Sequence, residues 1–219
     1  QKVMNLIAGF CPVSYLVLDG HFGNNNALQM VLQSTSLHLV SKLRNNAALY
    51  FVYDGPQKKK GRRRRYGAKI DYQAIPDKYR KAIYQEGNIQ TEIFQATMLH
   101  KCFASPLNVV IIVKTNLVSG VRAHVVLFSD DLDLEHDKLI DYYQLRFQIE
   151  FNFRDAKQFW GLEDFMNIKE TQIANAVSLS LFMVNLSHVL LKQLRQTDAK
   201  AGVLDLKSFF RGHRYAIET

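Results

Sequence analysis

The stretch from Val13 to Leu43 constrains this chain more than any other. Val13-Ser14-Tyr15-Leu16-Val17-Leu18 is an apolar run of strand length that stops at Asp19-Gly20. Gly20, Gly23, Asn24, Asn25 and Asn26 supply turn and helix-start chemistry, and Ala27 to Leu32 continues as a short helix. Leu37-His38-Leu39-Val40-Ser41-Lys42-Leu43 is a second strand. A strand–helix–strand unit over about thirty residues is a βαβ unit, with parallel strands expected. Ligands of such units collect beyond the carboxyl ends of the strands, which is where Asp19 sits. Taken alone, Asp19 reads equally well as a turn or helix cap.

From about residue 46 to 129 the pattern changes. Tyr50 to Tyr53, Phe94 to Phe103, Val109 to Lys114 and Arg122 to Phe128 read as strands, a mostly antiparallel β segment. Asp54 to Gly67 is a turn-rich basic loop. Ser129 to Asp133 then lead into a long helix from about Leu134 to Phe159, stopped by Gly161. A second helix is expected from about Glu170 to Gln196, and a short third one from Leu204 to Phe210. No internal repeat is visible.

The long helix carries Tyr143, Arg146, Glu150 and Lys157 at steps of 3, 4 and 7 residues. At roughly 100° per residue they share a sector of about 60°. Tyr142, Leu145, Ile149, Phe153 and Trp160 flank that stripe on one side, and Ile140, Phe147 and Phe151 on the other. The periodicity therefore predicts that the stripe faces inward. Charges buried without partners cost several kcal/mol, so these should meet each other, a metal or a polyanion. An ion-pair network that only fixes packing is the simpler alternative.

With 219 residues, 47% of them apolar, the chain is long enough for a sizeable core. Its net charge of +8 is local: Lys58, Lys59, Lys60, Arg62, Arg63, Arg64 and Arg65 account for all but one of it. One basic arm on a nearly neutral body points to a polyanion, DNA before an anionic membrane. A solvated loop or a localisation signal is the plainer reading. Cys11 and Cys102 have no metal-type spacing and are expected as reduced packing residues of a cytosolic protein. The apolar run Val177 to Leu191 carries three serines, an asparagine and a histidine, and is expected as a buried helix rather than a membrane span. The chain starts at Gln1 almost directly before a strand, and a missing N-terminal portion is expected.

A strand-end Asp and a helix Glu can share divalent metals. Mg²⁺ (or Mn²⁺) prefers hard oxygen ligands and needs only a few carboxylates beside substrate phosphate. Two such ions can clamp the attacking and leaving oxygens of a phosphodiester. Arg146 and Lys157 suit phosphate oxygens, and Tyr143 can donate to a phosphate or stack on a base. The residues therefore point to metal-dependent phosphoryl transfer on nucleic acid, with Asp19 and Glu150 as the carboxylates that share the metal.

The spacing Tyr143-x2-Arg146-x3-Glu150-x6-Lys157 resembles the Y-R-E-K signature of insertion-sequence DDE transposases. Phe128 to Asp133, Leu18 to Asn24 and Leu39 to Arg44 are also similar to that family. The resemblance implies an α/β fold: an RNase H-like catalytic core, N-terminally truncated here, interrupted by a mostly antiparallel β insertion. Its parts would be a βαβ piece at 1–45, the β-rich insertion at 46–129 with the basic loop 57–67, and the catalytic helix with C-terminal helices at 130–219. It implies Asp19 as the second catalytic Asp and Glu150 as the third acidic residue. Arg146 and Lys157 would contact phosphates near the transposon end, with Tyr143 supporting DNA binding there. The basic arm would bind DNA as well. It further implies strand nicking and joining of transposon ends to target DNA, a homodimer in a synaptic complex, no membrane, and a cytoplasmic, nucleoid-associated setting. No acidic residue precedes Asp19, so the resemblance leads to the expectation that the first catalytic Asp is missing from this chain. Asp130 and Asp131 are expected as caps at the strand–helix junction, with a replacement ligand role as the lesser alternative. A non-catalytic DNA-binding remnant and an RNase H-like nuclease remain the competing functions.

Overall fold

The computed structural model describes residues 12–166 and 168–218. It divides into two compact units, Gln1–Arg146 and Phe147–Thr219. In the first, β1 (Tyr15–Val17) leads through a 3₁₀ turn (Gly20–Phe22) and α1 (Asn25–Ser34) to β2 (His38–Leu43). The two strands pair in parallel, Tyr15 opposite His38, as the βαβ pattern requires. Asn24 caps α1, its side chain accepting from the Ala27 amide at 3.0 Å.

Six more strands follow: β3 (Leu49–Val52), β4 (Tyr66–Lys69), β5 (Arg80–Glu86), β6 (Ile89–His100), β7 (Leu107–Asn116) and β8 (Arg122–Ser129). All eight belong to one sheet, ordered β1-β2-β8-β7-β6-β3-β4, with β5 also on β6. Every pairing except β1–β2 is antiparallel. The strands of 46–129 join β1 and β2 directly, because β8 pairs with β2 (Val40 opposite Ser129).

Both faces of the sheet are covered, which is why its central strands read as near-continuous apolar runs. Leu39, Leu43, Val109, Ile111, Val126 and Phe128 point to one face, under α1 and the segment around Ile70, Tyr72 and Ile75. Their neighbours in the pleat, Val40, Val110 and Leu127, point to the other. There they meet Leu139 and Ile140 of α2 (His136–Leu145).

The second unit holds α3 (Phe147–Trp160), α4 (Glu170–Leu194) and α5 (Val203–Glu218). Gly161 does end α3: its φ is +68°, and the Leu162 amide closes back on the Ala156 carbonyl at 3.1 Å. The expected single helix from Leu134 to Phe159 is two helices, broken at Arg146, where the amide bonds to the Tyr143 carbonyl three residues back at 3.3 Å. The inward stripe also needs correction. Glu150 and Lys157 are exposed, and so are Leu145, Ile149 and Phe153. Only Ala156 of α3 is buried, so this helix packs through its C-terminal half, against Val177, Leu181 and Val184 of α4.

The run Val177 to Leu191 is expected as a buried helix, yet the buried residues of α4 are Ser180, Val184, Ser187 and Leu191 alone. Steps of 4, 3 and 4 make one narrow seam, closed by Ala156 and Leu162 at one end and by Ala201 and Leu206 at the other. By length and composition α4 is long and apolar enough to cross a membrane, with mean hydropathy 1.6. A seam that joins it to α3 and α5 accounts for part of that apolar surface without a bilayer.

Candidate functional site

Asp19 leaves β1 at its carboxyl end, and three hydrogen bonds fix the turn. Its carboxylate accepts from the His21 amide at 2.9 Å. Its carbonyl accepts from the buried Ser41 hydroxyl at 2.8 Å, and the Leu18 amide before it donates to the Val40 carbonyl at 3.0 Å. Gly23 lets the turn lie against β2: a Cβ there would stand 2.1 Å from the Lys42 carbonyl oxygen.

This turn forms one wall of an open groove of about 560 Å³. Lys42, Arg44 and Asn46 rise beside it from the end of β2, and Tyr143 and Arg146 come from the end of α2. The groove therefore sets one carboxylate, Asp19, against three basic side chains. The Arg146 guanidinium stands 5.8 Å from the centre of the Tyr143 ring. Burial pushes the Tyr143 phenol above its ordinary 10.0, Arg146 opposes this, and the nearby Asp19 charge adds to it. Tyr143 is thus a neutral hydrogen-bond donor at neutral pH.

Of the residues singled out in the sequence, Asp19, Tyr143 and Arg146 meet at this groove. Glu150 and Lys157 belong to the other unit, where the Lys157 ammonium pairs with Glu163 at 2.7 Å. Lys42 and Arg44 were not singled out for chemistry. The signal was present: two cations end a strand parallel to the one that Asp19 ends, and such strand ends hold ligands.

Asp130 and Asp131 cannot serve as substitute ligands beside Asp19. Asp130 accepts from the Leu39 amide at 2.6 Å and contacts the His38 ring at 2.8 Å. Asp131 accepts from the Tyr15 hydroxyl at 2.6 Å. Both stand at the amino ends of β1 and β2, about 13 Å along the strand from Asp19 at ~3.3 Å per residue. Nor do they cap α2, whose N-cap is Glu135 without a side-chain bond. They pin the junction onto the sheet instead.

Asp19 has the right donor for a hard divalent cation. Among the described residues, however, no group of three His, Cys, Asp or Glu side chains converges to hold one. The described residues around Asp19 do not make a metal site by themselves.

The basic loop closes the β3–β4 hairpin. Gln57 clamps Arg64 by two hydrogen bonds of 2.8 and 2.9 Å. The Arg64 guanidinium lies 4.5 Å over the Tyr53 ring and donates to the Tyr66 carbonyl at 3.0 Å. Arg64 therefore builds the loop. Lys58, Lys59, Lys60, Arg62, Arg63 and Arg65 are exposed around it. Cys102 is exposed, not the packing residue expected, and Cys11 lies outside the described residues.

Among curated proteins no match was found. Residues 1–98 match the family model described as DDE superfamily endonuclease. That segment contains β1 to β5, most of β6, Asp19 and the whole β2 wall of the groove. The mixed α/β sheet is consistent with the RNase H-like architecture of such enzymes. Over residues 1–98 the chain is thus similar to DDE superfamily endonucleases.

Proposed function

We propose that this chain is a DNA-handling domain of a transposase, one that presents a DNA phosphodiester to Asp19. The observation that carries this reading is the groove itself: one carboxylate at a strand end, faced by Lys42, Arg44 and Arg146 with Tyr143 as a neutral donor. Arginine binds phosphate oxygens bidentately and lysine supplies a point charge, so three cations favour a phosphate backbone over a neutral ligand. The DDE superfamily match supports DNA as the polymer. Binding would orient the phosphate with Arg146 and Tyr143 on one side and Lys42 and Arg44 on the other.

The activity proposed is Mg²⁺- or Mn²⁺-dependent nicking and joining at transposon ends. The Y-R-E-K spacing supports Glu150 as the acidic partner of Asp19, and Lys157 as a further phosphate contact, exchanging its Glu163 partner for DNA. Hard carboxylate oxygens are the ligands such ions take, and the ions would supply the charge that stabilises displacement at phosphorus. A synaptic homodimer and a nucleoid-associated setting rest on the family resemblance alone. A second reading, DNA binding without chemistry, is favoured by the absence of a three-ligand cluster among the described residues.

A plasmid-relaxation assay with Mg²⁺ or Mn²⁺ separates the two. Nicking lost in both Asp19→Asn and Glu150→Gln supports the catalytic reading. Tight DNA binding with no nicking by the wild type under either metal would leave only the binding reading.

A further inference from the structure

A second groove of about 470 Å³ continues from the first, and the proposed function gives it no role. The two share Gly20, His21, Leu43, Arg44 and Asn46 as lining residues. Arg44 is thus the cation at their junction. Among the described residues it is exposed and has no ion pair that would occupy it.

The chemistry of the second groove differs from that of the first. No carboxylate lines it. Its far wall is the turn after β6, with His100, Cys102 and Phe103. The Cys102 amide donates to His100 Nδ1 at 3.2 Å, so the neutral ring carries its proton on Nε2. Burial holds the His100 pKa below its ordinary 6.5, which keeps the ring neutral at pH 7. Its edge packs against Phe103, with ring centres 5.3 Å apart. Asn25 accepts from the Ala104 amide through its side-chain oxygen at 3.1 Å, which leaves its NH₂ to donate. Arg44, Asn25, Asn46 and His100 therefore offer hydrogen-bond donors along a channel with no opposing negative charge.

We infer that this second groove carries the DNA strand onward from the phosphodiester presented to Asp19, with Arg44 holding a phosphate where the two grooves meet. The inference rests on DNA occupying the Asp19 groove. It makes Arg44 a positioning residue, and it puts the strand across the exposed thiol of Cys102.

That thiol is the reporter. Maleimide labelling of Cys102 is followed by peptide-resolved mass spectrometry, which separates it from Cys11. The wild-type chain is compared free and saturated with a DNA duplex bearing a single-stranded extension. Saturation is set by fluorescence anisotropy in the same samples. Bound DNA should slow Cys102 labelling about tenfold or more, and inorganic phosphate alone should not. Arg44→Ala should lower the salt slope of DNA binding by about 1 and restore part of the labelling at matched saturation. Saturated DNA with Cys102 labelling unchanged overturns the second groove while leaving DNA in the first. Protection by phosphate alone also overturns it, because the groove would then hold a small anion and not a strand. Absence of DNA binding removes the proposed function and this inference together.

Discussion

Alanine in place of Gly23 tests how the Asp19 turn is held. Gly23 has a φ of −71°, which any residue can adopt, so the argument is steric and not conformational. The added Cβ would lie 2.1 Å from the Lys42 carbonyl oxygen, 3.1 Å from the Lys42 carbonyl carbon and 3.2 Å from the Gly20 carbonyl oxygen. All three are backbone atoms, so no side chain can swing aside. Relief to an ordinary contact of ~3.4 Å requires the turn and β2 to part by more than an ångström. Overpacking of this kind costs about 1–3 kcal/mol and occasionally more, and the rigid partner puts this case at the upper end. For a chain of this size ~3 kcal/mol corresponds to a fall in Tm of about 6–12 °C. Gly20→Ala is the matched control, because its Cβ would stand 3.5 Å from the same oxygen, an ordinary contact. Thermal unfolding by circular dichroism measures both variants. Gly23→Ala should melt well below Gly20→Ala and should bind DNA more weakly at temperatures where it is still folded. Equal melting temperatures would refute the packing of this turn on β2.

Tyr15→Phe removes the hydroxyl that Asp131 accepts at 2.6 Å and should cost about 1–2 kcal/mol in urea unfolding at neutral pH. The bond to Asp131, helped by burial, raises the Tyr15 phenol to about 12, so its contribution is present below pH 10 and lost as pH rises through about 12. Burial alone would raise the Asp131 carboxyl, but the Tyr15 hydroxyl, the Asp133 amide and His38 together bring it below 3.8. Its contribution is present above pH 3.8 and lost on further acidification, and Tyr15→Phe should flatten the stability profile at both ends. Replacing Lys58, Lys59 and Lys60 by Gln should lower the salt slope of DNA binding by up to about 3 without changing Tm, because these residues are exposed. An unchanged slope would leave the loop off the DNA. Leu191→Ala, on the α4 seam against Ala201 and Leu206, should cost about 2–4 kcal/mol, and a loss under 1 kcal/mol would mean that α5 does not close on that seam.

The βαβ unit was legible because its apolar runs, its Asn and Gly turn and its second strand all agree. The central strands β7 and β8 were legible as apolar runs buried on both faces. β5 was not, since all but one of its residues are exposed and neither face carries an apolar alternation. β4 was hidden because Tyr66-Gly67-Ala68-Lys69 has little β propensity and follows the basic run. The break at Arg146 leaves no mark in the sequence: no Gly or Pro stands there, and the backbone stays near helical dihedrals (φ −54°, ψ −37°). Periodicity alone therefore joined α2 to α3 and sent Glu150 inward. Asp19, Tyr143 and Arg146, which line one groove, were singled out by strand-end logic and by spacing. Lys42 and Arg44 were passed over because two cations after a strand look like a solvated end, although the parallel pairing expected there already set that strand end beside Asp19.

DNA affinity against salt, in metal-free buffer, tests the Asp19 groove most directly. Arg146→Ala should weaken binding and reduce the slope of log K against log salt by about 1, as expected for one lost phosphate contact. Asp19→Asn should strengthen binding, because without a metal the carboxylate repels the phosphate that the three cations attract. If both variants bind as the wild type does, the DNA lies elsewhere on the chain and the groove is not its site.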